Sequence, residues 1–417
     1  MPWKAVLEGP LKDRALETIA GILDDLARFE PESVVDASLG GGTAGLALLH
    51  AYLVRAEHGR DYTGVAVHYL KHATAAVAER PAEASLYSGL TGVGWALAHL
   101  QGLLQDLDGE ADLAAIDDVL LDHLGPSSWA GDYDLINGLV GFGVYALERL
   151  PRPSAAACLE RVIEKLAQSA ERRTEGTTWW TNPAWLPLET QEKFPRGYYN
   201  LGVAHGVPGV IALLGEARAA GVSRAKARRL LEGAVDWLLA QQGPGGFPHW
   251  VGPQGVDGPA RLAWCYGDPG VAIALLSAAR RVAEPAWEHE AIAIGRRAAQ
   301  RLPEKSGVRD AGLCHGAAGL GHLFNRLFQA TGEPQFGDAA QYWFEQTLAM
   351  RWPGHGIAGY QAWGPGEGGD LTWVTEPGLL TGATGIALAL LAATTAIEPS
   401  WDRVLLTAVP PQENEHS

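Results

Sequence analysis

The chain contains few cysteines and fewer basic than acidic residues, and each of these features argues against a class of protein. Three cysteines among 417 residues are too few for the disulfide framework of a secreted domain. The 32 basic residues are outnumbered by 48 acidic ones, and the net charge of −16 argues against a nucleic-acid-binding protein. Residues 1–10 lack the apolar run that a signal peptide needs. We therefore expect a cytoplasmic enzyme.

Hydrophobic stretches of membrane-spanning length are scarce as well. One stretch, residues 378–397, is uncharged and about as long as a spanning helix. It is rich in glycine, threonine and alanine, and it matches six other segments of the same chain. We therefore expect a buried helix in this place and no integral membrane protein.

Glycine, in contrast, is abundant, and its placement is regular. The pattern G-x-x-G, followed by an apolar run, occurs seven times. Its first glycines are Gly42, Gly89, Gly138, Gly206, Gly267, Gly316 and Gly382. One copy of so short a pattern carries no information, but seven copies predict a repeat protein. Each apolar run predicts a helix that is buried on all sides.

An amphipathic helix is predicted before each copy. The clearest one spans residues 223–242, with Ser223 as the predicted N-cap and apolar residues at the spacing of one buried helical face. The others lie near residues 13–29, 63–79, 111–123, 154–173, 286–302 and 335–350. Seven such pairs predict an all-α fold, an α/α toroid with seven inner and seven outer helices in one domain, residues 1–417. An open solenoid is the structural alternative.

Three longer spacings mark insertions into this repeat, near residues 174–200, 243–260 and 352–376. These segments are rich in glycine, proline and aromatic residues. Two interpretations stay open at this point. The insertions are either loops that pack their own aromatic side chains, or a rim that grips a peptide, since loops on one face of a repeat array often bind ligands.

Polar residues recur at fixed distances before the first glycine of each copy. Cys265 and Cys314 stand two residues before it, and His205, Tyr266 and His315 stand directly before it. Equivalent positions of a ring meet at the same end, so we expect these side chains to converge. Two thiols and an imidazole are good zinc ligands, and three protein ligands leave an open position, as in catalytic sites. The sequence thus predicts one zinc ion per chain.

Other interpretations of these residues remain. Each cysteine alone is compatible with a small buried hydrophobic residue, which is our interpretation of Cys158, and a disulfide between Cys265 and Cys314 is the further alternative. His205 is a catalyst or a hydrogen-bonding residue at a helix start. Asp134 lies four residues before its glycine, and with Arg261 it forms either part of the site or a structural ion pair. His322 is interpreted as structural.

Three motifs of the chain resemble those of the lanthionine synthetase C-like (LanC-type) cyclases. They are Trp264-Cys265-Tyr266-Gly267, Cys314-His315-Gly316 and Ala204-His205-Gly206. The resemblance covers the whole chain and implies an α/α toroid. It also implies roles for individual residues. Zinc ligands are implied at Cys265, Cys314 and His315, a catalytic histidine at His205, and further active-site residues at Asp134, Arg261 and Tyr266.

The reaction that the resemblance implies is a Michael-type addition. A cysteine thiol of a precursor peptide attacks dehydroalanine or dehydrobutyrine, and a lanthionine or methyllanthionine thioether ring results. The implied partners are the dehydrated precursor peptide, a dehydratase and an exporter. We expect a monomer that is cytoplasmic or peripheral at the membrane within a biosynthetic complex.

Alternatives of other classes are open. The main one is a LanC-like zinc protein that binds glutathione or another thiol without cyclase activity. Prenyltransferase β-subunits and some glycoside hydrolases are also toroids. A glycosidase needs two carboxylates at the site, and Asp134 and Asp268 are the candidates at repeat register.

Overall fold

A computed structural model describes residues 2–28, 36–57, 61–79, 83–104, 107–366 and 369–412. Within these ranges every G-x-x-G copy begins a helix, and the first glycine of the copy is the residue before its first turn. These helices are α2 (Thr43–Arg55), α4 (Leu90–Gln101), α6 (Leu139–Arg149), α9 (Val207–Ala219), α11 (Asp268–Val282), α13 (Ala317–Thr331) and α15 (Ala383–Thr394). Most of their residues are buried, as their apolar sequences predict.

A second set of helices precedes these buried helices. They are α1 (Gly9–Leu26), α3 (Thr63–Glu79), α5 (Glu110–His123), α7 (Pro153–Ser169), α10 (Arg224–Ala240), α12 (Pro285–Gln300) and α14 (Pro334–Ala349). Each matches a predicted amphipathic helix to within one turn, and residue 29 of the first prediction lies outside the described residues. A shorter helix, α8 (Leu188–Lys193), lies in the first insertion.

The predicted side-chain cap of α10 is wrong. Ser223 does precede the helix, but its backbone is left-handed, with φ 45° and ψ 35°, and its hydroxyl accepts no capping hydrogen bond. A capping serine needs an extended backbone to direct its oxygen at the first turn. The Ser223 carbonyl instead accepts the N–H groups of Lys226 and Ala227.

The insertions, predicted as loops, contain short antiparallel strands. The strands are β1 (Glu171–Arg173), β2 (Gly176–Thr178), β3 (Trp180–Thr181), β4 (Tyr198–Asn200), β5 (Trp250–Gly252), β6 (Gly255–Val256), β7 (Ala362–Pro365) and β8 (Leu371–Val374). They form the sheets β1–β2, β3–β4–β5–β6 and β7–β8. Aromatic residues pair across them. Trp180 faces Tyr199, and Trp363 faces Trp373 with ring centroids 5.3 Å apart.

Two compact units make up the structure. The first contains Met1–Glu83, Tyr87–Leu113 and Ser306–Trp401. In this unit the buried helices pack in the order α13, α15, α2, α4, while α14 covers α13, α1 covers α15 and α3 covers α2. The second unit contains Ala84–Leu86, Ala114–Lys305 and Asp402–Ser417. Its buried helices pack in the order α6, α9, α11, and α7, α10 and α12 cover them.

The stretch that needed a membrane check is a buried helix of the first unit. Its helical part, α15, has 12 residues, all of them buried. Across the described residues, no helix combines the length and the apolar character that crossing a membrane requires.

The loops before the buried helices share a polar residue six positions ahead of the first glycine. In five copies its side-chain oxygen accepts the backbone N–H two residues further on, at 2.8 to 3.2 Å. The five residues are Asp36, Asp132, Asn200, Asp310 and Glu376. Such a bond closes a tight turn that short polar side chains favour. This position therefore shapes the loop.

Backbone hydrogen bonds also join neighbouring loops within each unit. In the first unit, the N–H two residues before each first glycine donates to the carbonyl at the same position of the next loop. The bonds run from Cys314 to Leu380, from Leu380 to Gly40 and from Gly40 to Tyr87. In the second unit Ala204 donates to Cys265 in the same way at 3.5 Å. We call these bonds the loop ladder, and both candidate zinc-binding cysteines stand on it.

Candidate metal and proton-transfer site

The structure brings the three predicted metal ligands together. The thiols of Cys265 and Cys314 and a ring nitrogen of His315 all lie within 4.8 Å of one another. Cys265 is buried, the other two are half-buried, and neither cysteine is joined in a disulfide. These three residues form a candidate metal-binding group, and its donor set of two sulfurs and one imidazole suits zinc. The alternative of a disulfide between Cys265 and Cys314 is therefore wrong.

A buried carboxylate stands behind His315. Asp310 Oδ2 lies 3.7 Å from His315 Nε2, and it also accepts the backbone N–H of Trp363 at 3.0 Å. Its other oxygen accepts the Gly312 N–H. A histidine that binds a metal commonly presents its second nitrogen to a carboxylate, which sets the ring orientation. Asp310 fits this role.

His205 and Asp134 form a second pair, in which His205 Nδ1 is hydrogen-bonded to Asp134 Oδ2. The Asp134 side chain is 1% exposed, whereas that of His205 is 40% exposed. Asp134 is itself held in place, because its Oδ1 accepts the Asn137 N–H at 2.7 Å. The carboxylate therefore occupies Nδ1 and leaves Nε2 as the ring nitrogen available for proton transfer.

The charges around this pair shift the pKa of His205 and the pKa of its neighbour Asp132. Burial alone would lower the pKa of His205, but the charges of Asp134, Asp132 and Cys265 and the Asp134 hydrogen bond outweigh it and raise the pKa. Burial, and then the charge of Asp134, raise the pKa of Asp132 to about 7. The carboxylate of Asp134 thus favours the imidazolium form of His205 over the neutral ring.

Arg261 occupies the turn-forming position of the fifth copy, where it breaks the pattern of the loops. Because a guanidinium accepts no hydrogen bond, Arg261 cannot close the turn that the other copies form, and the backbone of this loop differs. Gly267 has φ +85°, where the first glycines of the other copies have φ between −144° and −102°. Arg261 instead directs Nη2 at Cys265 Sγ, 3.8 Å away. Its Nε is buried without a partner in the described part of the chain.

Tyr266 is fixed at its ring and at its hydroxyl. The bare Cα of Gly202 packs against the ring, and a Cβ at this glycine would lie 2.7 Å from two ring atoms. The His249 ring meets the Tyr266 ring edge-on at 5.2 Å between centroids. Asn200 Nδ2 donates to the Tyr266 hydroxyl at 3.0 Å. The hydroxyl thus has a defined position beside Cys265.

The structure also distinguishes the alternatives for the remaining residues. Asp134 pairs with His205, so the alternative of an Asp134–Arg261 ion pair is wrong. Cys158 is fully buried in the second unit, and burial first of all raises its pKa to about 12. His322 is 1% exposed and stacks on Trp401 at 4.9 Å between ring centroids. Asp268 accepts the Phe247 N–H at 2.9 Å and anchors the second insertion.

Three polar residues near the site, Asn200, Asp132 and Asp310, were not predicted from the sequence. All three stand six residues before a first glycine, at the turn-forming position. The signal was available in the sequence, because every copy carries a polar residue there. Only the structure shows which of these side chains also reach the functional groups.

Comparison with known proteins assigns the chain to a class. The family described as lanthionine synthetase C-like protein matches residues 33–406, which is most of the chain. The chain therefore belongs to the lanthionine synthetase C-like family, as the motifs at Cys265, Cys314 and His205 predicted.

Two individual relatives agree with this assignment. Nisin biosynthesis protein NisC of Lactococcus lactis subsp. lactis is 24% identical over 352 residues, covering 75% of this chain and 80% of that protein. The structure of a nisin cyclase is similar with a TM-score of 0.74 at 20% identity, covering 95% of this chain and 97% of the other. The likeness confirms the predicted fold class, an all-α fold of the LanC toroid type.

Proposed function

We propose that this protein is a zinc-dependent lanthipeptide cyclase, which adds cysteine thiols of a precursor peptide to dehydroalanine or dehydrobutyrine. The relatives named for nisin biosynthesis and as a nisin cyclase support this function. The observation that carries it is the pairing of a two-thiol, one-imidazole group with a histidine–carboxylate pair. The loops that carry His205 and Cys265 are neighbours in the second unit, because the Ala204 N–H donates to the Cys265 carbonyl, and the charge of Cys265 acts on His205.

Cys265, Cys314 and His315 would hold the zinc ion, with Asp310 orienting His315. Their donor atoms are already gathered, and three protein ligands leave one position for a substrate. Bound zinc supplies a cation that stabilises a cysteine thiol of the substrate as the nucleophilic thiolate. Arg261 Nη2 beside Cys265 Sγ adds a second positive charge.

His205 is assigned the proton transfer to the α-carbon. As the C–S bond forms at the β-carbon, the Cα–Cβ π bond breaks and its electron pair moves into an enolate. The proton on His205 Nε2 passes to Cα and the thiol proton is released to solvent, from which His205 then recovers a proton. Asp134 keeps Nδ1 occupied and favours the imidazolium that donates this proton.

Arg261 and Tyr266 are assigned to the enolate oxygen. The buried Arg261 Nε is a donor that the described residues leave unsatisfied, and an unmet donor in a site costs free energy that a substrate oxygen recovers. The Tyr266 hydroxyl is fixed nearby. Donors placed where charge develops are a large source of catalysis.

The remaining parts of the proposal concern the surroundings of the enzyme. The precursor peptide is the substrate, and a dehydratase that supplies the dehydroamino acids and an exporter that removes the product are the proposed partners. A single domain, a monomeric state and a cytoplasmic location, free or at the membrane surface, belong to the same proposal. The aromatic insertions are proposed to contact the peptide.

The test is an assay on a synthetic peptide that contains one dehydroalanine and one cysteine. Ring formation leaves the peptide mass unchanged but removes the thiol, so alkylation followed by mass spectrometry measures it. The wild type is expected to protect the thiol, and His205→Ala to lose this activity by at least about 10²-fold while retaining its zinc. Thiol protection absent from the zinc-loaded wild type, together with glutathione binding, would instead identify the thiol-binding alternative.

A further inference from the structure

Asn200 holds two hydrogen bonds that together fix the orientation of its amide. The residue ends β4 and is 1% exposed. Its Oδ1 accepts the Gly202 N–H at 2.9 Å, so Nδ2 is the atom that faces Tyr266, and it donates to the hydroxyl at 3.0 Å. A flipped amide would place its own N–H groups against the Gly202 N–H. The backbone thus determines that Asn200 is the donor.

This direction of donation leaves the phenol proton of Tyr266 free. A tyrosine hydroxyl has one proton and acceptor lone pairs. Because Asn200 occupies a lone pair, the proton is not used in their bond and is available to another acceptor. A hydroxyl that accepts a hydrogen bond also becomes a stronger donor.

The other repeats show that the fold alone does not require an amide at this position. Asp36, Asp132, Asp310 and Glu376 form the same turn with a carboxylate. At position 200, a carboxylate would keep the bond to the Gly202 N–H. An ionised carboxylate is an acceptor only, so it would take the proton of Tyr266. Only an amide satisfies the turn and leaves that proton free.

We propose that Asn200 is a positioning residue, which sets Tyr266 as a hydrogen-bond donor to the carbonyl oxygen of the dehydroamino acid as negative charge develops there. This inference rests on the proposed cyclase function and extends it to a residue that transfers no proton in the reaction. Gly202 and His249 hold the ring, and Asn200 sets the direction of the hydroxyl.

The test is a double-mutant cycle with Asn200→Asp and Tyr266→Phe in the thiol-protection assay. Asn200→Asp is expected to lower kcat by about 10²-fold, the loss typical of removing one donor to a developing oxyanion, with KM changed less than about twofold. Tyr266→Phe should lower kcat similarly. The double variant should be no slower than the slower single variant, because both changes remove the same interaction.

Matched variants separate this effect from a general disturbance. Asp36→Asn makes the reverse exchange at the same register of the first copy and should leave kcat unchanged. Asn200 also hydrogen-bonds the Tyr198 side chain, so Tyr198→Phe is included. Because Tyr198 lies in an insertion proposed to contact the peptide, its effect should fall on KM, and its loss of kcat should be smaller than that of Asn200→Asp. The zinc content of Asn200→Asp should equal that of the wild type, and its thermal midpoint should lie well above the assay temperature.

If Asn200→Asp does not fold, a second substitution, Asn200→Ala, tests the same proposal. Asn200→Ala leaves the Tyr266 proton free but unguided, so it should lower kcat by about tenfold and have no further effect in Tyr266→Phe. The proposal is overturned if the losses in kcat of the two single variants multiply in the double variant of either cycle. It is also overturned if Tyr198→Phe is as slow as Asn200→Asp. A wild type that forms no ring refutes the cyclase function itself, whereas an active wild type with an equally active Asn200→Asp refutes only the role of Asn200.

Discussion

Asp132→Asn is expected to stabilise the protein at neutral pH and to leave it unchanged in acid. Burial and the charge of Asp134 raise the pKa of Asp132 from 3.8 to about 7. At pH values well below 3.8 the folded and the unfolded chain both carry the proton. As the pH rises from about 4 to about 7, the unfolded chain releases this proton while the folded chain retains it. The free energy of unfolding therefore falls across this window and stays low above it.

The size of the effect follows from the pKa difference. A rise from 3.8 to about 7 corresponds to about 4 kcal/mol at most, and screening at a half-buried carboxyl reduces this to about 2 kcal/mol. Asparagine retains the oxygen that accepts the Tyr133 and Asp134 N–H groups, and Asn200 forms the same turn in the next copy. The substitution thus removes the charge and keeps the loop.

The measurement is urea unfolding of both proteins between pH 4 and pH 7.5, with a chelator present because metal binding is itself pH-dependent. The gap in unfolding free energy should be smallest at pH 4, below about 1 kcal/mol, and should grow to about 2 kcal/mol at pH 7.5. Parallel curves for the two proteins over this range would refute the assignment of a raised pKa to Asp132.

Three further outcomes are expected. Cys314→Ala should reduce bound zinc from about one per chain to near zero by elemental analysis, and full retention would remove Cys314 from the ligand set. Asp117→Ala should destabilise the protein by about 3–5 kcal/mol in urea unfolding, because Asp117 pairs with buried Arg149 at 3.0 Å; a cost below about 1 kcal/mol would contradict this. Gly202→Ala should slow thiol protection, since its Cβ would lie 2.3 Å from the Cys265 carbonyl oxygen and 2.7 Å from two atoms of the Tyr266 ring, and a wild-type rate would show that this loop can shift without loss.

The repeat register was the strongest signal in the sequence. Aligning the copies on their first glycines predicted that Cys265 and Cys314 converge, because a helix start at a fixed register places equivalent residues at equivalent points of the fold. The amphipathic helices were equally accessible, since one buried face imposes a 3.6-residue period. Local periodicity and register therefore account for the helices and for the candidate metal group.

Other features depend on contacts that no local pattern encodes. The strands of the insertions have two to four residues each, too few for a visible alternation, and their pairing is set by distant partners such as Trp363 and Trp373. The failed cap at Ser223 depends on a left-handed backbone. The partner of Asp134 was also undetermined, because only the packed loops show that His205 rather than Arg261 lies beside it.

The loop ladder has a consequence for how new activities arise on this scaffold. Its bonds join main-chain atoms alone, from Cys314 to Leu380, to Gly40 and to Tyr87, so the ladder does not depend on which side chain each rung carries. Glycine, tyrosine, leucine and cysteine all occupy this position. A different reactive side chain could therefore be placed at this position by a single substitution, while the backbone bonds that align the loops persist.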